Sequence, residues 1–280
     1  MTPSLPARRF NWSNLGMRAL SAAVLAPMAL YAAYAGGWLL MAVIAAAVAR
    51  VAWEWGRMTA PSAPVRVAVL VTAAVLAAAL TASLGHYRIA WIVLVLSGGA
   101  CALMSRAVAA RPADAAFGAL YIGAPCLALI WLRAAGPGGQ MWTFLVLASA
   151  WSADIVAFLA GNLIKGPKLW PQFSPNKTWS GFFGGLIAAT LAAAAVARVW
   201  ALLHPDELST AKALLIGAFA GLATMAGDLW ESMLKRRFGV KDSGGLIPGH
   251  GGLLDRVDGL MFALLAVAAA RLLVNLGWPH

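Results

Sequence analysis

The sequence predicts an all-α fold, a polytopic transmembrane helical bundle of about nine spans with a cytoplasmic N-terminus. Three observations carry this expectation. The 280 residues are 62% hydrophobic and 11% charged, with a mean hydropathy of +0.79, which is too apolar for a soluble domain with a polar surface. Apolar runs of roughly 20 residues, enough to cross about 30 Å of hydrocarbon, recur along the whole chain. The basic residues sort by side: an internal N-terminus puts 16 of the 21 lysines and arginines at the cytoplasm and leaves Arg88, Arg133, Arg198, Lys212 and Arg271 opposite, as the positive-inside rule requires.

The runs lie near 18–35, 37–54, 65–84, 88–106, 114–133, 141–161, 181–203, 211–233 and 257–276. The first follows a basic leader, MTPSLPARRFNWSNLGMRAL, and reads as a retained span rather than a cleaved signal. Gly36-Gly37 alone separates it from the second, and Ser97-Gly98-Gly99 interrupts the fourth. Cys101 and Cys126 fall in apolar stretches without metal or redox spacing and read as packing residues. The chain divides into N-terminal helices (1–110), middle spans with a first cytoplasmic loop (111–180) and a C-terminal region with a second loop (181–280). The net charge of +11 fits orientation and anionic headgroups, and nucleic acid is set aside as a partner. Small-residue faces on several spans permit a homodimer.

Both long loops, about 161–180 and 234–256, fall on the cytoplasmic side and are rich in Gly, Pro and Lys/Arg, so function is expected there. Eight of the ten carboxylates share that side; Asp206 and Glu207 sit in an outer loop and take no role. Asp154 lies two turns before the inner end of the sixth span, a depth at which an ionisable group is a functional candidate. Asp228 and Glu231, at i and i+3 near the inner end of the eighth span, share a helical face with Ser232 and Lys235. Asp255 and Asp258 repeat the spacing at the start of the ninth span, where helix capping explains one of the two acids. Carboxylates converging at one depth repel unless cations intervene. An oxygen-only set suits Mg²⁺ completed by substrate phosphates, with Asp228, Asp255 and Asp258 as metal ligands.

Between these acids run Lys235, Arg236, Arg237, Lys241 and Arg256, with a glycine-rich segment holding His250, Gly251 and Gly252. Cations and open backbone amides are what a polyphosphate requires. In the first loop, Ser174, Lys177 and Thr178 precede the seventh span, where anion binding competes with ordinary turn chemistry and capping. No GxxxxGK[ST] is present.

These residues compose a pattern that resembles the signature of phosphatidate cytidylyltransferases. Ser232, Lys235, Arg236, Lys241, Asp242, Gly244, Leu246 or Ile247, Pro248, His250, Gly251, Gly252, Asp255, Arg256 and Asp258 fill it within 27 residues. GDLWESMLKR, SPNKT with its trailing glycines, and WEWGRM around Glu54 are similar to further motifs of that family. Ser180 stands where the family has an acid, and Ile155 follows Asp154 where it has a hydroxyl residue. The resemblance implies a multi-pass inner-membrane enzyme that takes CTP and phosphatidic acid to CDP-diacylglycerol and pyrophosphate at the cytoplasmic face. It also implies Mg²⁺ and a second cation, K⁺ or another divalent ion. Asp228, Lys241, Asp255 and Asp258 would be catalytic. Asp154, Ser174, Lys177, Thr178, Ser232, Lys235, Arg236, His250, Gly251, Gly252 and Arg256 would bind substrate. Two alternatives stay open: a CTP-dependent lipid kinase of the polyprenol type, and a divergent non-catalytic paralogue.

Overall fold

A computed structural model describes residues 12–107, 111–134, 136, 138–172, 174–204, 208–244 and 251–275, with backbone alone for 12–22. Nine α-helices follow one another among them: α1 (Trp12–Ala35), α2 (Gly37–Thr59), α3 (Pro64–Ser83), α4 (Tyr87–Ser105), α5 (Pro112–Ala134), α6 (Gly139–Leu163), α7 (Trp179–Ala201), α8 (Thr210–Arg237) and α9 (Leu254–Asn275). The helices α2 to α9 are each long and apolar enough to cross a membrane, and the chain is a multi-pass membrane protein. Apolar side chains such as Leu96, Ile187, Leu191 and Phe219 stand outward on the bundle, which a lipid environment accommodates and water does not.

Local chemistry sets the helix ends. Pro64 opens α3, where its missing N–H costs nothing, and Ser209 caps α8 by accepting from Lys212 N at 3.4 Å. Gly36 adopts φ +65° between α1 and α2, so a one-residue break separates the two helices while Ser97-Gly98-Gly99 stays helical within α4. Arg133, at the end of α5, donates to Ala33 O and Tyr34 O at 2.6 Å each and so satisfies carbonyls at the end of α1. Arg271, buried on α9, donates to Leu132 O at 2.7 Å and stacks over Trp131 and Trp142. These two arginines of the outer set staple that end of the bundle.

Two apolar cores form. One gathers α2 to α5 around Trp55, Val71 and Leu94; the other gathers α5 to α9 around Leu132, Leu145 and Leu264. Helices α5, α8 and α9 contribute to both, so the halves are joined in part through the helices that carry Asp228, Asp255 and Asp258. Between α6 and α7 the expected turn at 174–178 is instead a strand: β1 (Lys168–Trp170) pairs antiparallel with β2 (Ser174–Thr178), with Lys168 opposite Thr178 and Trp170 opposite Ser174. The hairpin delivers Lys177 and Thr178 directly into the first turn of α7.

Candidate active site

Up-and-down connectivity brings the ends of α2, α6 and α8 and the starts of α5, α7 and α9 to one end of the bundle. All the carboxylates of the described residues stand there: Glu54, Asp114, Asp154, Asp228, Glu231, Asp242, Asp255 and Asp258. Close backbone approach sets their mutual positions. A Cβ on Gly227 of α8 would come within 2.5 Å of Asp258 O, and one on Gly259 of α9 within 2.7 Å of Thr224 Cγ2. Small residues at this crossing let α8 and α9 touch backbone to backbone, which sets Asp228 beside Asp258. Likewise Gly181 and Gly185 of α7 lie against Ala157 O and Ala153 O of α6, the helix turns that flank Asp154.

The acids fall into two clusters. In the first, Lys177 Nζ reaches from β2 to Asp228 Oδ2 at 2.6 Å. Asp258, 7% exposed, forms no ion pair among the described residues, although Asp154, Asp228 and Glu231 all lie within electrostatic range of it. Lys177 and Arg256 lie within the same range of Asp154. In the second cluster, Lys235 Nζ bridges Glu231 Oε2 at 2.5 Å and Asp255 Oδ1 at 2.8 Å. Asp255 Oδ2 also accepts from Gly252 N at 2.8 Å and Ser243 N at 3.2 Å. Beside it, Glu54 accepts from Leu253 N and Leu254 N at 2.8 Å each. At the edge, Arg237 meets Asp114 at 3.0 Å.

The expected site residues take the following partners. Asp255 was expected to hold metal and act in catalysis; both its oxygens accept bonds here, Oδ1 from Lys235 and Oδ2 from Gly252 N and Ser243 N, so it also ties the loop onto α9. Gly252 was expected to offer an amide to phosphate, and that amide is spent on Asp255. Gly251 adopts φ +81°, and a Cβ there would meet Asp255 Oδ2 at 2.6 Å, which is reason enough for glycine. Thr178 is buried, and its Oγ1 accepts from Gly181 N at 3.2 Å as the α7 cap, so the capping alternative describes it. Ser180 Oγ donates to Lys165 O, giving the hairpin neck a local bond where the family pattern has an acid. Ser174 pairs within the hairpin, Ser232 is half-buried on α8, and Arg236, Lys241 and Arg256 are exposed at the charged end. His250 lies outside the described residues, as do Asp206 and Glu207.

The donor set bears directly on the expected metal. Among the described residues no three His, Cys, Asp or Glu groups converge as a ready-made cage. Asp228 and Asp258 nonetheless form an all-oxygen pair, and Glu231 Oε1 is a buried acceptor without a hydrogen-bond partner. Lys177 already places one positive charge on Asp228. Two carboxylates with substrate oxygens completing the shell is the arrangement Mg²⁺ prefers, so these residues fit it.

Sequence reading missed Ser243 and left Glu54 and Glu231 without a role. The signals for Glu54 were its place in WEWGRM and a carboxylate inside an otherwise apolar helix, flanked by Trp53 and Trp55.

Residues 16–274 match the cytidylyltransferase family. A phosphatidate cytidylyltransferase of Brucella abortus is 36% identical over 265 residues, 95% of this chain and 94% of that protein. Proteins of the same name from Bacillus subtilis and Staphylococcus saprophyticus are 38% and 40% identical over 146 and 154 residues. Those matches cover 52% and 54% of this chain and 53% and 56% of theirs.

Proposed function

The chain belongs to the cytidylyltransferase family, and from that premise we propose how its charged end joins CTP to phosphatidic acid. The enzyme transfers CMP, giving CDP-diacylglycerol and pyrophosphate. A phosphate oxygen of the lipid attacks the α-phosphorus of CTP, the bond to the β-phosphate bridging oxygen breaks, and pyrophosphate leaves. A phosphate oxygen is already anionic, so no strong general base is required of the protein.

The observation that carries this reading is the Gly227–Gly259 crossing, where Asp228 and Asp258 meet and Lys177 arrives from the hairpin. Asp228 and Asp258 would hold Mg²⁺, which supplies neutralisation of the charge developing on the leaving group. Lys177 clamps phosphate and keeps Asp228 oriented. Lys241, Arg236 and Arg256, exposed at the same end, draw the polyphosphate in from water. Asp154, on the α6 side, is suited to a second cation or to polar groups of the substrates. The excess of basic residues at this end supports its facing the cytoplasm, with the protein in the inner membrane.

A non-catalytic ion path would spread its acids through the bilayer; here they gather at one end. Purified protein given CTP, Mg²⁺ and phosphatidic acid should yield equal amounts of pyrophosphate and CDP-diacylglycerol. Release of CDP with a newly phosphorylated lipid would instead make it a lipid kinase.

A further inference from the structure

Glu54 is fully buried, five residues before the end of α2. Its Oε1 accepts from Leu253 N at 2.8 Å and meets Arg50 Nη2 at 3.0 Å; its Oε2 accepts from Leu254 N at 2.8 Å and Ser243 Oγ at 3.2 Å. Three of these partners stand 189, 199 and 200 positions away along the chain. The first N–H groups of a helix lack an intrahelical acceptor, and the positive end of its dipole favours an anion. Gly251, Gly252 and Leu253, just before α9, offer no Ser, Thr, Asp or Asn to serve as a local cap. Glu54 joins Asp255 in that duty, from another helix.

The glycines at the two loop ends follow from this carboxylate. A Cβ on Gly244 would lie 3.0 Å from Glu54 Oε1; one on Gly252 would lie 2.6 Å from Oε2 and 2.0 Å from Ser243 Oγ. Neither residue has a positive φ, so what demands glycine is the approach of Glu54 and Ser243 rather than backbone conformation. Helix α2 is itself held in place: Trp55 donates from Nε1 to Asp114 O at 2.9 Å and lies so close to Gly118 that a Cβ there would be 2.2 Å from Nε1. The position of Glu54 is thus imposed by the N-terminal half of the bundle.

We propose that Glu54 is a positioning residue for the nucleotide site. It clasps both ends of the glycine-rich loop, at Ser243 and at Leu253–Leu254, and thereby fixes the start of α9, the helix that carries Asp258 one turn further on. The proposal rests on the reading of the charged end as the CTP site. It gives the N-terminal helices, which bring no group to the reacting phosphates, a part in the reaction.

The test uses the full chain in lipid-supplemented detergent. Glu54→Gln turns one acceptor into a donor facing other donors. Without substrate, amide exchange at Leu253 and Leu254 should quicken about tenfold or more, as expected on losing a charge-assisted bond. With substrates, the KM for CTP should rise about tenfold while that for phosphatidic acid stays within about twofold. Ser243→Ala, which keeps the charge, should move both readouts the same way by less. A wild-type KM for CTP, or an equal rise in both KM values with a lowered melting temperature, would reduce Glu54 to packing and overturn the proposal. Should Glu54→Gln fail to fold, Ser243→Ala decides: an unchanged KM for CTP overturns the proposal and a selective rise supports it. If the wild type turned over no CTP, the CTP reading would fall, and exchange at Leu253 and Leu254 would still decide the clasp.

Discussion

Asp255 and Asp258 stand one turn apart on α9, yet the protein treats them in opposite ways. Asp255 is enclosed by Lys235, Ser243 N and Gly252 N, next to Glu54 with its own four partners. Asp258 takes part in no ion pair among the described residues while three other acids crowd it electrostatically. The first arrangement closes a loop and fixes a helix end. The second leaves a buried carboxylate that no cation of the described residues pairs. Spacing alone makes the two acids equivalent; their surroundings set them apart.

The comparison is broken most directly at Asp258. Asp258→Asn should lower kcat by on the order of 10³-fold, as loss of preorganised charge stabilisation does, while the protein still runs as a monodisperse peak in detergent. Turnover near wild type would exclude Asp258 from the reacting cluster. Lys235→Met tests the other side, because it leaves buried Glu231 and Asp255 without their shared cation. About 3–5 kcal/mol of stability should be lost, the usual effect of breaking a buried pair, read as a large fall in melting temperature. Gly227→Ala leaves every acid in place but forces α8 from α9, since its Cβ would sit 2.5 Å from Asp258 O. It should cost about 1–3 kcal/mol by overpacking and depress kcat without altering any charge, in a steady-state assay beside a melting curve.

Smaller effects sharpen the boundary. Thr178→Ala should cost about 1 kcal/mol as a lost cap and leave the KM for CTP unchanged; a tenfold rise would return that hydroxyl to the substrate. Arg237→Gln should change stability by less than about 1 kcal/mol, because Arg237 is half exposed in its pair with Asp114. A larger loss in thermal unfolding would extend the structural cluster out to α5.

Hydropathy alone was enough to find the helices. Each apolar run in the sequence became one helix, with ends shifted by a few residues: 211–233 became Thr210–Arg237 and 257–276 became Leu254–Asn275. The extension of α9 matters, because it draws Asp255 into the first turn, where a carboxylate bonds the preceding amides. The hairpin escaped notice because five residues with a proline and an asparagine carry turn signals as strongly as strand signals.

What the sequence by itself determined is what depends on transfer from water and on nearest neighbours: apolar spans, acids gathered at their ends, cations gathered in two loops, and the motif that suggested the family. Only the tertiary structure decided which acids the chain's own amides and cations engage. That distinction turns on partners up to 200 residues away, as with Glu54 and Leu254. Glycine spacing shows that something passes close, and only packing says whether it is a phosphate or the chain's own carboxylate.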